Sequence, residues 1–340
     1  MRAVVVGIGA VGLRGARQLV STDGLERLTL VHHDARRLEE VEAGLDAAER
    51  VRTARTDRHT LASDLLAEAD VVVLATPRRQ QEAAELALEH GAHVVSTCDD
   101  IAEVRALLAL DSEARERDLC VVAGAGFAPG LSCVLVRHAA ASFDSVQEIH
   151  VARLGTGGPA CARHHHRALS ATAVDWWDGG WRNRAGGSGR ELCWFPDPVG
   201  GADCYRAGMP DALLLAPAFA TVRRVTARLA ANRRDRMTAW LPMLRPPHPE
   251  GILGAVRVEV RGRRGPTFDA QVFGALDRPA SAAGAVAAVA ALWAADGRLS
   301  RAGAGGLASL VDQPVPFLRE LAGRGVRAAV FEGGSEAFVA

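Results

Sequence analysis

The sequence contains no lysine, so every permanently charged basic side chain among its 340 residues is an arginine. A Schiff base between protein and substrate, a lysine general acid and a P-loop all require lysine, and all three are therefore excluded. Tyrosine is nearly absent as well, because Tyr205 is the single example. The tyrosine–lysine pair of the short-chain dehydrogenases is thus excluded too.

The chain also lacks net charge, paired cysteines and a long apolar run. Arginines and acidic residues number 40 each, so we expect no nucleic-acid partner. Six cysteines stand without Cys-x-x-Cys spacing, which is typical of reduced thiols in the cytoplasm. Residues 280–295 are too short to cross a bilayer, so no membrane partner is expected. We expect no signal peptide, because the first strand begins at the second or third residue.

A glycine-rich turn near the amino terminus stands between an apolar strand and a segment with the spacing of an amphipathic helix. Gly7 permits the tight turn, Gly9 lets the backbone approach a pyrophosphate, and Gly12 allows the helix to pack closely. The helix N-terminus offers unpaired N–H groups to the phosphates. We therefore predict a dinucleotide site. Its contacts in this turn are Gly7, Gly9, Ala10, Val11 and Gly12.

The first 130 residues alternate strands and helices, which predicts an α/β fold with a doubly wound parallel (Rossmann) sheet. Residues 71–75 form an apolar run typical of a central strand, and helices are expected at 61–68 and 101–117. Ligands bind beyond the carboxyl ends of such strands. Further predicted cofactor contacts at these ends are Ala75, Thr76, Pro77, Thr97, Cys98, Gly126 and Phe127, with Asp99 next to the nicotinamide.

The pattern changes beyond residue 130, which indicates a second domain. Residues 155–209 are rich in Gly, Trp and His with low periodicity, residues 213–231 are predicted to be mainly helical, and residues 255–273 alternate like a β-hairpin. We predict three parts. They are a dinucleotide-binding Rossmann domain at 1–130, an α+β substrate domain at 131–278 and a helical tail at 279–340 that packs back on the first domain.

The end of the second strand indicates which dinucleotide is preferred. An acidic residue about 20 positions beyond the glycines would bind the adenosine ribose of NAD, but His32 occupies that position. Together with His33, Arg36 and Arg37, His32 makes this end neutral to basic, which favours the 2′-phosphate of NADP. Asp34 is the nearby acid, and NAD stays possible if its side chain reaches the ribose.

Residues 94–97 and 121–132 resemble saccharopine dehydrogenase-like proteins. In that family a strand ends in Gly-x-Gly-Phe-x-Pro-Gly, as residues 124–130 do here, and the chain then enters the substrate domain. The Ala-Thr-Pro turn at 75–77 and the layout of the tail also fit. The resemblance implies NAD(P)-dependent hydride transfer at a C–N bond, such as reduction of an imine formed from an amine and an oxo acid, or the reverse reaction.

The sequence departs from that family where substrate is recognised. Many members carry an Asn-Arg-Asp-Ser-like stretch, and residues 201–206 are the nearest equivalent here, so the resemblance supports saccharopine and glutamate-type substrates only weakly. The glucose–fructose oxidoreductase-like proteins share a two-domain plan. Their Glu-Lys-Pro signature is replaced here by Ser-Thr-Cys-Asp-Asp at 96–100, so their lysine acid is missing.

Without lysine, proton transfer falls to histidine, aspartate, tyrosine or cysteine. The run at 164–166 is the most conspicuous cluster, and one of its rings is expected to face the cleft because neighbouring helical residues point about 100° apart. A solvated polar turn explains the run equally well. Cys161 and His164 have spacing suited to zinc, but no clear second pair of ligands exists and we predict no metal.

A second cluster comprises Asp203, Tyr205 and Arg206, whose arginine is suited to bind a substrate carboxylate; ordinary core and surface roles also explain these residues. A proline-rich loop carries Arg245 and His248, which either contact a ligand or belong to a stiff connector. The catalytic candidates are His164, His165, His166, Asp99 and Tyr205. The substrate-binding candidates are Arg163, Arg206, Arg245 and His248.

These observations together predict a cytoplasmic, homodimeric NAD(P)-dependent oxidoreductase that acts on a C–N centre of a small metabolite. One alternative is a protein that binds the dinucleotide without redox turnover, as a sensor, a scaffold or a non-redox cyclisation enzyme. A dehydrogenase for alcohols or sugars is a further alternative. A titratable group near the nicotinamide would favour the oxidoreductase over the non-redox protein. Dependence on an amine would favour it over an alcohol or sugar dehydrogenase.

Overall fold

The computed structural model describes residues 1–45, 49–56, 61–243, 246–249 and 251–331, which form two β-sheets with helices packed on them. The strands are β1 (Arg2–Val6), β2 (Arg27–His32), β3 (Val51–Arg55), β4 (Val71–Leu74), β5 (His93–Ser96), β6 (Cys120–Val122), β7 (Ser145–Leu154), β8 (Ala173–Trp177), β9 (Gly180–Arg184), β10 (Glu191–Phe195), β11 (Gly200–Arg206), β12 (Arg224–Ala230), β13 (Gly254–Arg264), β14 (Thr267–Asp277), β15 (Gly303–Gly305) and β16 (Ala328–Phe331). The helices are α1 (Ala10–Val20), α2 (Ala35–Ala43), α3 (Gln80–Glu89), α4 (Ile101–Leu108), α5 (Asp111–Glu116), α6 (Leu131–Ala140), α7 (Pro159–Ala168), α8 (Asp211–Leu215), α9 (Arg233–Thr238), α10 (Pro279–Ala295), α11 (Leu307–Leu310) and α12 (Pro314–Gly323).

The first sheet is parallel throughout, with the strand order β15-β6-β5-β4-β1-β2-β3. The order reverses between β1 and β4, and β4 is buried along its whole length. In such a sheet the ligand crevice lies beyond the carboxyl ends of the strands at the reversal. The predicted doubly wound α/β fold is therefore confirmed.

Two of the predicted helices in this region were wrong. Residues 61–68 contain only a short 3₁₀ turn, Ser63–Leu65, because the N–H groups here donate to carbonyls three residues back, as Leu66 does to Ser63 at 3.0 Å. The helix expected at 101–117 is divided into α4 and α5. Asp111, the first residue of α5, accepts a hydrogen bond from the Ala304 backbone N–H at 2.8 Å, so a contact with β15 redirects the chain.

The second sheet is mixed and follows the order β10-β11-β12-β7-β13-β14-β16, with β8 and β9 attached beside β12. The hairpin predicted at 255–273 is confirmed as β13 and β14. The prediction that residues 213–231 are mainly helical was wrong, because β12 runs there beside β7. In β12 the buried residues Val225, Ala227 and Leu229 share one face, which is the period of a strand.

The carboxy-terminal segment contacts both sheets. Helix α10 packs on α1, and a Cβ atom on Gly284 would lie 2.6 Å from the Gly15 nitrogen, so the glycine at 284 permits the close approach. Besides its helices, this segment contributes β15 to the first sheet and β16 to the second. Among the described residues, no helix is both long and apolar enough to cross a membrane.

Candidate active site

The glycine turn between β1 and α1 leaves open space where a dinucleotide would lie. Gly7 has φ +91°, and a Cβ atom on Gly12 would stand 1.9 Å from the Gly7 carbonyl oxygen, so both positions require glycine. A Cβ atom on Gly9 would meet nothing within 4 Å. Gly9 is also the N-cap of α1 and supplies no side-chain cap, so the helix N-terminus is available to a phosphate. The turn therefore fits a pyrophosphate.

A cleft of about 880 Å³ opens above this turn, between the carboxyl ends of the first sheet and helix α7. Eight of the sixteen predicted cofactor contacts line it, together with three of the predicted catalytic and substrate-binding residues. They are Gly9, Ala10, Val11, Ala75, Thr76, Pro77, Thr97 and Cys98, followed by Asp99, Arg163 and His164.

Gly126 and Phe127 are not among the residues that line the cleft. The Gly126 N–H donates to the Pro129 carbonyl at 2.9 Å, and Phe127 is buried. This segment therefore forms a closed, buried turn that leads into α6. Its contribution to a cofactor site is to shape the wall behind the cleft.

A smaller cavity of about 220 Å³ lies at the ends of β1, β2 and β4, where the adenosine half of a dinucleotide belongs. His32 and His33 line it, as predicted from the sequence, whereas Arg36 and Arg37 do not. The Arg37 guanidinium instead pairs with Glu40 at 3.0 Å.

Two arginines that the sequence analysis missed, Arg78 and Arg79, also line this cavity. Arg79 pairs with Glu82 at 3.0 Å, while Arg78 is exposed at the cavity wall. Their position in the sequence could have indicated this, because both arginines directly follow the Thr76-Pro77 turn at the end of β4. Burial, and then the neighbouring His33, lower the pKa of His32, so this ring is neutral at neutral pH. The positive charge at this end therefore comes from arginine.

Helix α7 carries the three consecutive histidines and separates them. It begins after Gly158 with a proline at its first position, a residue that suits the first helical turn. His164 lines the cleft, whereas His165 and His166 are buried on the other side. The Nε2 atom of His166 lies 3.0 Å from the Thr238 carbonyl oxygen and 3.2 Å from that of Leu241. His166 therefore connects α7 to the segment after α9.

Asp99 links the histidines to the first sheet. It follows β5, and its Oδ2 atom lies 2.9 Å from His165 Nε2 and 3.4 Å from the guanidinium of Arg153. His164 Nε2 lies 3.1 Å from the Asp99 backbone oxygen and 3.6 Å from Oδ1. Because a carbonyl oxygen only accepts, His164 Nε2 carries the proton of that hydrogen bond.

Arg153 was not predicted as a site residue. It lies on the face of β7 that also buries Ile149 and Val151, and its side chain is only 3% exposed. Its Nη1 atom donates to the Ala128 carbonyl oxygen. An arginine at a core-facing position of an alternating strand is itself a signal of a functional or structural charge, because buried charges need partners.

The charges around Asp99 fix its protonation state. Burial raises the pKa of its carboxyl, but His164, the hydrogen bond from His165 and the charge of Arg153 together hold that pKa well below the usual range. Asp99 is therefore ionised at neutral pH and cannot serve as a general acid. The side chain that orients the histidines is thus a permanent anion.

His165 is held neutral by the same surroundings. Burial, followed by the charge of Arg153, lowers its pKa to about 4, although Asp99 opposes the shift. A neutral His165 whose Nε2 lies beside a carboxylate carries its proton on that nitrogen. His165 therefore donates to Asp99 and does not titrate near neutral pH.

The metal considered from the sequence would have used Cys161 and His164. In the structure Cys161 Sγ lies 3.4 Å from His165 Nε2 instead, and one ligand atom each from Asp99, Cys161 and His165 lie within 4.8 Å of one another. The Arg153 guanidinium 3.4 Å from Asp99 opposes a cation here, and burial raises the pKa of the Cys161 thiol to about 12. The cluster is better satisfied by its own hydrogen bonds than by a metal.

The remaining predicted residues lie away from the cleft. Tyr205 and His248 line a second cavity, together with His165 and His166. Arg206 lines neither space, since its Nε atom pairs with the buried carboxylate of Asp175 at 3.2 Å. Arg245 lies outside the described residues.

Comparisons with known proteins agree with this geometry. Residues 3–122 match the family model of the saccharopine dehydrogenase NADP binding domain. The apo saccharopine dehydrogenase (L-Glu forming) from Saccharomyces cerevisiae is similar in structure, with 13% sequence identity and a TM-score of 0.69 over 97% of this chain and 99% of that chain. An amine dehydrogenase from Mycobacterium smegmatis shares 12% identity and a TM-score of 0.53 over 91% and 96% of the two chains. These structures share the fold.

Proposed function

The amino-terminal domain of this chain belongs to the saccharopine dehydrogenase-like NAD(P)-binding family, and from that premise we propose that the protein is an NADP-dependent oxidoreductase acting on a C–N bond. The substrate we propose is a small amino or imino compound. One observation carries the proposal: the glycine turn and the Asp99–His164 pair line the same cleft. A histidine oriented by a carboxylate beside the dinucleotide site is what proton transfer coupled to hydride transfer needs.

The bound dinucleotide supplies the hydride chemistry, and the chain supplies position and charge. The glycine turn and the N-terminus of α1 would hold the pyrophosphate. At the adenosine end, Arg78 and His33 would contact a 2′-phosphate. Glu82 also lines this cavity but pairs with Arg79 at 3.0 Å, and the acidic residue that follows β2 is Asp34. The Asp34 carboxylate caps α2 by accepting from the Arg36 N–H at 3.0 Å, so it is engaged elsewhere. This arrangement supports NADP over NAD.

His164 is the residue we assign to proton transfer. It faces the cleft with its side chain 19% exposed, so it is accessible to substrate, and the ionised Asp99 orients its ring. Arg163 and Arg167 line the cleft from the same helix. Because arginine binds carboxylates through two parallel N–H bonds, this pair favours a substrate that carries a carboxylate.

The protein that binds a dinucleotide without redox turnover is the second candidate. A cleft without a titratable group would favour that candidate, but His164 lines this cleft beside Asp99. The redox enzyme is therefore the better supported function.

The experiment that tests the proposal follows oxidation of NADPH with a panel of oxo acids, each offered with and without ammonia or a primary amine. We expect turnover only when both partners are present. Turnover of an oxo compound without amine would instead identify an alcohol or sugar dehydrogenase. Tight NADPH binding with no turnover across the panel would favour the non-redox candidate.

We also propose the three-part division of the chain at 1–130, 131–278 and 279–340, a homodimeric state and a cytoplasmic location. The division is supported by the sheets, since β7 to β14 all lie in the second sheet and α10 packs on α1, while the carboxy-terminal part adds β16 to the second sheet. For the dimer, the exposed side chains Leu192 and Trp194 on edge strand β10 offer an apolar contact. Light scattering on the purified protein measures the oligomeric state directly.

A further inference from the structure

The second cavity, about 950 Å³ in volume, lies on the side of α7 opposite the cleft. No described residue lines both spaces, because Ala162, His165, His166 and Leu169 face the second cavity whereas Cys161, Arg163, His164 and Arg167 face the cleft. A substrate in the cleft therefore does not extend into the second cavity. The volume is within the range of small-molecule sites.

The wall of the second cavity is mainly apolar. Leu154 of β7, Leu229 of β12 and Tyr205 of β11 line it from the sheet, and Ala162 and Leu169 line it from α7. Water in such a space makes few hydrogen bonds, and the wall atoms lack the dense contacts of a protein interior. An apolar molecule that displaces this water would release it to the solvent and would also form van der Waals contacts with the wall, and both changes favour binding.

The rim of the second cavity is charged, and cations are in excess. Arginines 190, 233 and 236 line it together with aspartates 203 and 235. Arg190 and Asp203 pair at 3.0 Å and neutralise one another. The Arg236 guanidinium lies over the Tyr205 ring, 4.9 Å from its centroid, so this cation is positioned at the aromatic wall. An anionic group beside an apolar body matches this arrangement.

We propose that the second cavity is a separate binding site for an amphiphilic monoanion, that is, an aromatic or aliphatic molecule with one carboxylate or similar group. The apolar body would lie between α7 and the sheet, and the anion would lie against Arg236. The proposal does not depend on the proposed function of the cleft. It is a binding site and involves no chemical step.

The probe for the test is 1-anilinonaphthalene-8-sulfonate, which joins an aromatic body to one sulfonate. Its fluorescence is titrated against the full-length protein with and without saturating NADPH. We expect saturable binding that NADPH does not displace. Displacement by NADPH would place the probe in the cleft and overturn the proposal, whereas NADPH affinity itself reports on the proposed function separately.

Two variants locate the probe. Ala162→Phe adds a ring from α7, and Ala231→Phe adds one from the half-buried opposite wall, so the second variant serves if the first fails to fold. Each folded variant is expected to bind the probe about tenfold more weakly, since about 1.4 kcal/mol of lost binding free energy gives that ratio, with NADPH affinity unchanged. Unchanged probe affinity in the folded variants would contradict the proposal.

The contribution of the anion is tested with a matched arginine and a matched probe. Arg236→Gln removes the rim cation that lies over the Tyr205 ring, and Arg234→Gln is the control because Arg234 lies on the same helix but does not line the cavity. We expect Arg236→Gln alone to weaken the sulfonate probe about twofold to fivefold. The uncharged N-phenyl-1-naphthylamine should bind both variants equally; an equal loss for both probes would refute the anionic part.

Discussion

The two faces of helix α7 present neighbouring residues to very different surroundings. Toward the cleft, His164 and two arginines face the space above the glycine turn. Toward the second cavity, His165 and His166 are buried, His165 against Asp99 and His166 against two backbone carbonyls. The three histidines are identical in the sequence, yet only one is placed for chemistry on a ligand in the cleft.

The difference teaches that environment, and not residue type, assigns the roles. Asp99 contacts both His164 and His165, so one carboxylate orients a ring that faces the cleft and anchors a ring that is buried. His164, the hydrogen bond from His165 and the charge of Arg153 lower the pKa of that carboxyl, and burial followed by Arg153 lowers the pKa of His165. A rotation of about 100° along the helix is enough to separate the two roles.

The largest expected effect is the loss of NADPH binding to the cleft when Gly9 is replaced. Gly9→Val places a branched side chain in space that is open around Gly9, so the fold should tolerate it while a pyrophosphate is excluded. NADPH affinity, measured by calorimetry, should fall by about a hundredfold or more, which is roughly 3 kcal/mol of binding free energy. Probe binding in the second cavity should persist. Unchanged NADPH affinity would remove the basis of the cleft assignment.

The comparison of the histidines predicts opposite phenotypes for two variants. His164→Gln should lower kcat about a hundredfold, the usual size of a lost proton-transfer group, with little effect on the melting temperature. His166→Leu removes the side-chain donor to the Leu241 carbonyl and one of two donors to the Thr238 carbonyl, which also accepts from the Leu241 N–H at 2.9 Å. It should lower the free energy of unfolding by about 1–3 kcal/mol while kcat is retained. Steady-state kinetics and thermal unfolding separate the two; similar phenotypes would contradict the comparison.

The pH dependence of the protein's stability tests only the buried face of α7, through His165. The pKa of His165 is about 4 in the folded protein against an ordinary value of 6.5, so between these values the unfolded chain binds a proton that the folded chain does not. The contribution of His165 therefore makes the free energy of unfolding fall as the pH is lowered through this window, by on the order of 2–3 kcal/mol.

The check is urea unfolding of the wild-type protein and His165→Gln at several pH values across the window. The variant should show a shallower loss of stability, because its remaining buried histidines titrate as they do in the wild-type protein. Equal slopes would show that His165 is not held neutral.

The smallest expected effect concerns the adenosine end. Arg78→Gln should weaken NADPH about fivefold, the size of one exposed charge contact, and leave NADH unchanged. Arg36→Gln is the matched control, since Arg36 does not line the adenosine cavity. If Arg36→Gln had the larger effect, the assignment drawn from the sequence would be right and the structural one wrong.

Much of the first sheet could be predicted from the sequence, because each parallel strand is a short apolar run and the glycine turn has a fixed spacing. The strand within 213–231 was missed although Val225, Ala227 and Leu229 alternate with polar residues in β12. Its pairing with β7 is a distant contact that stabilises it as a strand. Local periodicity contains no information on such long-range pairing.

Some residues of the candidate site could likewise be predicted from the sequence, and others could not. Asp99 and the loop residues near it follow from the rule that ligands lie beyond strand ends. The choice of His164 over its neighbours did not follow, because it depends on how α7 is rotated against the sheet. Arg153 was missed because its partners, Asp99 and the Ala128 carbonyl, come from a different part of the chain.

The most direct test of the central claim is a fluorescence titration of the purified wild-type protein with NADPH and, separately, with NADH. The account predicts that both bind in the cleft beside His164 and that NADPH binds more tightly. Binding of neither dinucleotide would contradict it, because the glycine turn and the Asp99–His164 pair would then have no common ligand.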